Sequence, residues 1–493
     1  MKKRNIILGL IFLTFIGCDT EEFLTLPPET DLVSETAFVT EADFTAAVNG
    51  TYAPLNGLYD NAFFMGEMHS DNAYYIHNPN YRADIDQEQI ANFIYDANSG
   101  IATGKYTTNY QIISRANQVL ARIDDADLDN DVKDNLKGQA LFLRALSYFE
   151  LVQFYGEVPL HVDPVTTLEG VALPLSSVNE VFALIISDAS TAASLLPNKS
   201  NQEAGRATSG SANALLGNAY LVMDQYALAE TALRAVVNSG EYQLLANYAD
   251  VFEPANKNSA ESVFEVQYKE GTEGYASGFM YSFVPEPISA PEFTALMAAY
   301  GVTPGNVQAQ TQTGFNTPTP DLINSYEAGD DRFDATIGYA VANGVNRPFV
   351  RKYLHQHATA PRTNDNWPVF RYSDVLLMLA EALEMQGKSN DALPFINQVR
   401  NRAGLGDIVS TANLMDVILQ ERRVELAFEN KRWLDLVRTD RAVAVITAYG
   451  QDVKNNPQDY YYPPNIGPVP AAFTDIRTTF PLPASEAQLS PHF

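Results

Sequence analysis

Cysteine is nearly absent from the 493-residue sequence, and basic residues are few. Cys18 is the single cysteine, so no disulfide can form within the chain and its stability must come from apolar burial. Against 60 Asp and Glu residues there are 32 Lys and Arg residues, which gives a formal net charge of −28. This charge repels nucleic acids and anionic lipid head groups, and we therefore expect no nucleic-acid partner.

Long apolar runs are also scarce, and the most prominent one lies at the N-terminus. It covers residues 6–16, between a basic start and the pair Gly17-Cys18, and it is shorter than the ~20 residues that span a bilayer. This order is typical of an export signal. The cysteine makes it resemble a bacterial lipoprotein signal, although Phe15 and Ile16 depart from the usual pattern. We expect a signal peptide over residues 1–17, acylation of Cys18 and a tether over residues 18–39. A plain secretory signal or an N-terminal membrane helix is the alternative.

Signatures of catalysis and metal binding are missing as well. The sequence has no Gly-x-Ser-x-Gly motif and no phosphate-binding glycine loop. Alternating aspartates from Asp125 to Asp131 resemble a calcium loop, but Asn130 stands in place of the required glycine and Leu136 in place of the bidentate glutamate. We expect no catalytic residue, no metal and no cofactor. A glycoside hydrolase is the least favoured reading, because such an enzyme needs two carboxylates at a set separation.

Helical periodicity dominates what the sequence does contain. Apolar residues at helical spacing predict helices over about 40–52, 109–123, 132–154, 414–428 and 434–449. Between them, residues 261–268 predict a strand, and residues 271–320 predict long loops. Asn343-Gly344 predicts a hairpin turn between segments 336–341 and 349–354. We therefore expect a mostly α fold with long loop insertions and a few short strands.

An internal repeat refines this expectation. Gly217 is followed by Ala229 after twelve residues and by Leu233 after four more, and Ala380, Ala392 and Ile396 have the same spacing. Such spacing is typical of tetratricopeptide helix hairpins, in which small residues lie where two helices cross and large ones fill the gaps. The repeat predicts an α-α superhelix, which is an architecture and carries no chemistry by itself.

Several longer segments together resemble the SusD/RagB family of surface lipoproteins, which work beside TonB-dependent transporters. They follow one another over nearly the whole mature chain: Arg144–Phe149, Tyr155–Leu160, Gly205–Thr208, Phe370–Ala382, Glu421–Leu426, Arg432–Arg438 and Pro481–Pro483. Asn430 and Lys431 stand where the family often has a glycine, but Asn also tolerates a left-handed turn. Charged residues at helical spacing in these segments are interpreted as ion pairs that orient helices: Glu421, Arg422, Glu425, Asp435 and Arg438.

The resemblance implies a single SusD-like domain over residues 40–493, with an N-terminal portion over about 40–240 and a C-terminal portion over about 241–493. It implies a non-enzymatic lipoprotein on the surface of the outer membrane. Such a protein captures an oligosaccharide and delivers it to a SusC-like TonB-dependent transporter. A peptide-capturing lid on the same type of transporter is the alternative.

Residues 67–78 are the first candidate ligand segment. Glycan binding needs flat rings that stack on the sugar and polar side chains that bind its hydroxyls. This segment supplies both, and the resemblance adds weight, since family members commonly place ligand groups here. The predicted ligand-binding residues are Glu67, Asp71, Asn72, Tyr74 and Tyr75. An ordinary packed loop is the alternative interpretation.

A second aromatic platform is predicted in the loops after the strand, from Tyr275, Phe279 and Tyr281. Phe279, Tyr281 and Phe283 alternate, so an extended chain would place all three on one side, where they could equally form a buried strand face. Trp367 is a further ligand candidate, because it follows a polar stretch that ends at Asn366.

Overall fold

The computed structural model describes residues 38–79, 85–167, 170, 172–271, 274–302, 313–358, 361–490 and 492. The predicted signal peptide, Cys18 and most of the tether lie outside the described residues. The fold class is confirmed as mostly α, with 52% of residues in helices and 7% in strands. Within the described residues, no helix is long and apolar enough to cross a membrane.

The N-terminal part of the chain is built from helices in sequential contact. Its elements are α1 (Glu41–Tyr52), α2 (Leu55–Asp60), α3 (Phe63–Gly66), β1 (Ala73–Tyr74), α4 (Ile85–Ala91), α5 (Gly100–Ile123), α6 (Asn130–Tyr155), α7 (Val178–Leu195), α8 (Ser209–Val222) and α9 (Tyr226–Asn238).

Helix starts in this part follow local capping chemistry. The Thr40 side chain accepts from the backbone N–H of Asp43, whose carboxylate bonds back to Thr40, so α1 begins where the sequence predicted. Helix α5 begins nine residues before its predicted start, with Ser99 as its cap. Its first turns include Lys105 and Tyr106, which are buried although their spacing lacks a clear apolar pattern.

The repeated spacing corresponds to two antiparallel helix hairpins. In the pair α8 and α9, a Cβ added at Gly217 would lie 2.5 Å from Cγ of Leu233, so glycine is what allows the two helices to approach. Ala229 is fully buried at the same crossing. This arrangement confirms the helix-hairpin prediction for the first repeat.

The C-terminal part mixes short strands with helices. Its elements are β2 (Ser262–Val266), α10 (Phe279–Phe283), α11 (Ala290–Ala299), β3 (Thr317–Pro318), α12 (Pro320–Ile323), α13 (Arg332–Thr336), β4 (Ile337–Ala342), β5 (Val345–Val350), β6 (Trp367–Arg371), α14 (Tyr372–Glu384), α15 (Ser389–Arg402), α16 (Leu414–Glu425), α17 (Arg432–Arg438), α18 (Ala442–Asn455) and α19 (Ala484–Leu489). The second repeat forms the hairpin of α14 and α15, with Ala380, Ala392 and Ile396 fully buried.

The strands form three antiparallel pairs, β1 with β3, β2 with β6, and β4 with β5. The β4–β5 hairpin turns at Asn343 and Gly344, whose φ angles of 51° and 72° suit a tight two-residue turn. Its second strand begins at Val345, whereas the sequence predicted a start near Phe349. The start of β5 was not predicted because the polar residues Asn346 and Arg347 interrupt the apolar pattern by which a strand is recognised.

Two further predictions are corrected. Residues 279–283, predicted as extended, form the short helix α10, and their rings are buried. The predicted helix over 434–449 is two helices, because Asp440 adopts a φ of 56° between α17 and α18. A left-handed residue cannot continue a right-handed helix.

Buried ion pairs fix α16 against its neighbours. Glu425 accepts from Arg371 at 3.0 Å and from Arg332 at 3.1 Å, and it also contacts Arg402. Arg422 bonds Asp374 and Asp435, each at 2.8 Å. The predicted role of these charged residues in orienting helices is confirmed, and one apolar core runs from Leu55 to Phe480 around them.

Candidate functional site

The segment predicted to bind ligand is buried from Glu67 to Tyr75. Glu67 Oε1 accepts from Asn72 Nδ2 and from the backbone N–H of Phe428, each at 3.0 Å. Burial raises the pKa of the Glu67 carboxyl to about 7, although these two hydrogen bonds act to lower it. Glu67 and Asn72 therefore hold this segment to the end of α16.

Asp71 is enclosed by two arginines. Its Oδ1 lies 2.7 Å from Arg432 Nε, and its Oδ2 lies 2.9 Å from Arg423. Burial acts to raise the pKa of this carboxyl, but the two guanidinium charges prevail and lower it. Asp71 is thus ionised, and it is paired with two arginines that lie more than 350 positions away in the chain.

Tyr74 and Tyr75 belong to a network of buried hydroxyls. The Tyr462 hydroxyl lies 2.9 Å from that of Tyr74 and 2.7 Å from that of Tyr75. Asn92 accepts from Tyr74 at 2.6 Å and donates to Tyr75 at 2.9 Å. The structure therefore brings all five predicted residues of this segment together as an internal polar layer, and their direct contact with a ligand remains a prediction.

The residues predicted for the second aromatic platform, together with Trp367, differ in their exposure to solvent. Phe279, Tyr281 and Trp367 are each at most 1% exposed, and the Phe279 ring packs edge-on against Trp367 with centroids 5.1 Å apart. Tyr281 contacts His357 through its hydroxyl. Tyr275, in contrast, is 64% exposed. Of the nine predicted residues it is the one that a ligand can reach in this conformation.

A different group of aromatic residues lies at the β4–β5 hairpin, where Tyr339 is exposed and Tyr461 is buried. We call Tyr300, Tyr339, Arg347 and Tyr461 the hairpin surface. Tyr300 Oη accepts from the backbone N–H of Tyr339 at 2.7 Å and donates to its carbonyl at 3.1 Å. These bonds hold the free edge of β4, and the Tyr339 ring is 40% exposed.

Tyr461 connects the hairpin surface to the predicted segment beneath it. The Arg347 guanidinium carbon lies 5.7 Å from the centroid of the Tyr461 ring. The Tyr461 hydroxyl donates to the carbonyl of Pro318, and Pro318 pairs with Ala73 in the β1–β3 ladder. The predicted segment thus supports the hairpin surface from below.

The electrostatics of the hairpin surface follow from partial burial. Burial and the neighbouring Tyr339 hydroxyl raise the pKa of Tyr461, so its phenol stays protonated and able to donate at neutral pH. Burial also lowers the pKa of Arg347 from its usual value. The hairpin surface therefore presents one partly exposed ring, that of Tyr339, and one cation, that of Arg347. An exposed ring is the type of group on which a saccharide stacks.

The sequence contained weak signals for the hairpin surface. The Asn343-Gly344 turn and the run Tyr460–Tyr462 are both visible, yet nothing local relates them. The tertiary contact of Arg347 with the Tyr461 ring brings the hairpin and the tyrosine run to the same place. These functional candidates were therefore missed.

Two cavities lie elsewhere on the molecule. One of about 310 Å³ beside α5 includes Tyr110 and Asn117 in its lining, and these donate to the carbonyls of Pro159 and His161. A second cavity of about 390 Å³ is lined near Gly57 and Gly104 without an aromatic ring. Within the described ranges, no three His, Cys, Asp or Glu side chains are grouped to hold a metal ion.

Comparisons with known sequences identify two matching families. Residues 335–493 match the SusD family, and residues 22–221 match a family described as starch-binding and associating with the outer membrane. A SusD-like protein of Formosa agariphila is 27% identical over 100% of this chain and 98% of its own length.

Solved structures share the fold over nearly the whole chain. A laminarin-binding SusD-like protein has a TM-score of 0.73 at 24% identity, and the match covers 92% of this chain and 98% of that one. Surface glycan-binding protein A from Bacteroides thetaiotaomicron, in complex with laminarihexaose, has a TM-score of 0.72 at 20% identity, over 91% of this chain and 97% of that one. The family matches at both ends of the sequence, together with the helix-hairpin fold between them, show that this chain belongs to the SusD/RagB family.

Proposed function

We propose that this protein is a cell-surface glycan-binding lipoprotein that captures an oligosaccharide and delivers it to a partner TonB-dependent outer membrane transporter. The single observation that carries the proposal is the hairpin surface, where the Tyr339 ring is 40% exposed and the Arg347 guanidinium packs on the ring of Tyr461. Membership of the SusD/RagB family supports it, as do the laminarin and laminarihexaose named for two structural neighbours.

The proposed location follows from the N-terminus and the family. Cys18 would carry the acyl chains that anchor the mature protein in the outer membrane, and the description of the matching family as associating with that membrane supports this location. Acyl chains rather than a membrane-spanning helix would then supply the membrane affinity. Delivery requires release, so modest affinity for each glycan unit suits the role.

Binding without catalysis is the favoured activity. Asp71 is held between Arg423 and Arg432, and Glu67 is buried with a raised pKa. Neither is therefore free to act as the exposed half of a glycosidase carboxylate pair. A peptide-capturing lid remains the rival, and the acidic surface would favour basic peptides.

Calorimetric titration separates the two ligands. Neutral oligosaccharides and mixtures of basic peptides would be titrated separately into the full mature protein. We expect saturable heat with an oligosaccharide and none with the peptides. Saturable heat with the peptides alone would overturn the proposal in favour of the rival.

Matched alanine variants then locate the site. Tyr339→Ala removes the exposed ring of the hairpin surface, and the affinity should fall between about two- and tenfold, as expected for one aromatic contact. Tyr275→Ala makes the same change in the loop predicted from sequence. Leu228→Ala truncates a residue that is 48% exposed on helix α9 and should leave affinity unchanged. If Tyr339→Ala behaves like Leu228→Ala, the hairpin surface is not the site.

A further inference from the structure

The arginine of the hairpin surface differs from all the other arginines that the structure describes. Each of those has a carboxylate or an oxygen acceptor; even the less buried Arg362 donates to the carbonyl of Gly271, and Arg351 donates to that of Asp334. Arg347 has neither an ion pair nor a hydrogen bond from its guanidinium among the described residues, and its contact is the ring of Tyr461. Five N–H donors are thus left without a protein acceptor.

This lack of a partner is unexpected in so acidic a protein. With 60 acidic residues in the chain, a carboxylate beside an exposed arginine would be easy to supply. Arg347 is only half-exposed, and partial burial of an unpaired guanidinium is unfavourable unless a partner is added. Burial lowers its pKa, and no carboxylate raises it in compensation.

Two carboxylates that lie near the hairpin have other partners. Glu292 accepts from the backbone N–H of Gly344 at 3.0 Å and caps α11 through Ser289. Asp321 accepts from the Tyr460 hydroxyl at 2.6 Å. Neither carboxylate forms an ion pair with Arg347.

We propose that Arg347 binds an anionic group of the captured glycan, either a carboxylate or a sulfate, an inference that rests on the glycan-binding function proposed above. A guanidinium presents parallel N–H donors that match the oxygens of both groups. The Tyr461 ring packs against the guanidinium, whose carbon lies 5.7 Å from the ring centroid. The ligand class is thus an acidic saccharide.

The net charge of −28 does not oppose this contact. At physiological ionic strength the Debye length is about 8 Å, so exposed carboxylates farther away are largely screened. The overall charge slows the approach of a polyanion, whereas the contact itself depends on groups within a few ångströms.

Polysaccharide panels in affinity gel electrophoresis test the proposal with the full mature protein. Laminarin and starch are the neutral probes, polygalacturonate is the carboxylated probe, carrageenan is the sulfated probe, and poly-glutamate is an acidic peptide without sugar. We expect retardation by one of the two anionic polysaccharides, at least tenfold stronger than by its methyl-esterified or desulfated form. Which of the two retards the protein identifies the anionic group.

Variants of Arg347 and of a control arginine test whether Arg347 is responsible for the preference for the charged polysaccharide. Arg347→Met and Arg441→Met each remove one positive charge. Arg347→Met should remove the preference for the charged form, while Arg347→Lys should keep part of it. Arg441→Met is the control, because Arg441 pairs with Asp416 on the helical scaffold, and it should bind as the wild type does. Circular dichroism spectra that coincide with the wild-type spectrum would establish that each variant is folded.

The remaining outcomes separate this inference from the proposed function. Retardation by a neutral glycan alone, or equal retardation by charged and uncharged forms, overturns the anionic ligand and leaves glycan binding intact. Retardation by poly-glutamate alone, or by none of the polysaccharides, overturns both. A preference for the charged form that survives in Arg347→Met shows that another residue binds the anion and overturns the assignment to Arg347.

Discussion

Single side chains in this protein reveal their role through their partners more than through their type. Glu67 and Asp71 are both carboxylates in one polar segment, yet Asp71 is held by two arginines and Glu67 by an amide and a backbone N–H. The pKa of Asp71 is lowered and that of Glu67 is raised to about 7. The difference arises because two positive charges offset the burial of Asp71, whereas burial dominates at Glu67.

The raised pKa of Glu67 predicts a pH-dependent contribution to stability. Between the unfolded pKa of 4.5 and the folded pKa of about 7, the native state holds a proton that the unfolded chain has released. The contribution of Glu67 is therefore full below pH 4.5 and is lost as pH rises through 7, by about 3 kcal/mol in total. Glu67→Gln keeps the Oε1 acceptor and removes this proton.

Urea denaturation of the wild type and of Glu67→Gln at pH 5 and pH 8 measures the contribution of Glu67 to the free energy of unfolding. The free energy of unfolding of the wild type should fall relative to that of Glu67→Gln as pH rises, because all other titrating groups are common to both proteins. Parallel changes in the two proteins would show that Glu67 ionises as an ordinary carboxyl and would contradict the prediction.

Helix hairpins form a large part of the scaffold that carries the loops and strands. In the α8–α9 hairpin, close approach depends on a glycine in a helix interior, where glycine is otherwise unfavourable by about 0.5–1 kcal/mol. Gly217 is retained in α8 because the buried Leu233 occupies the space that a Cβ would need.

This packing predicts opposite effects for two identical substitutions. Gly217→Ala places a methyl group 2.5 Å from Leu233 Cγ, and overpacking should lower the free energy of unfolding by about 1–3 kcal/mol. Gly104→Ala, in helix α5, meets nothing within 4 Å and should raise it by about 0.5–1 kcal/mol. Urea denaturation of both variants is the measurement, and destabilisation of similar size at both sites would argue against a close crossing at Gly217.

At the scale of the whole molecule, a helical scaffold and a tether would present the hairpin surface outward from a membrane. The apolar core includes residues from Leu55 to Phe480, as expected for the predicted single domain. Under the proposed acylation, attachment would depend on a single atom, the sulfur of Cys18, because the sequence offers no other cysteine.

Removal of that sulfur should release the protein. In cells that export it, Cys18→Ser should abolish incorporation of labelled palmitate and move the protein from the membrane fraction to the soluble fraction, since acyl chains would supply the membrane affinity. Thr20→Ser, two residues along the tether, is the matched control and should remain acylated. Membrane retention of Cys18→Ser would show that the anchor lies elsewhere.

Much of the fold could be predicted because its signals are local. The spacing of Gly217, Ala229 and Leu233 specifies a helix crossing within seventeen residues, and Asn430 takes the left-handed φ of 62° that its side chain tolerates. The break at Asp440 was missed because aspartate at that position has no distinctive local pattern, and the helical spacing continues across it.

The sequence by itself determined the helix hairpins, the family and the expectation of a lipid anchor, because each depends on residues close together in the chain. Only the tertiary structure decided which aromatic and charged residues reach solvent. Tyr74 and Asp71 are buried by Tyr462, Arg423 and Arg432. Arg347 instead meets a tyrosine ring and, among the residues that the structure describes, no carboxylate. Exposure and pairing are properties of groups brought together from distant parts of the chain, and no local pattern contains them.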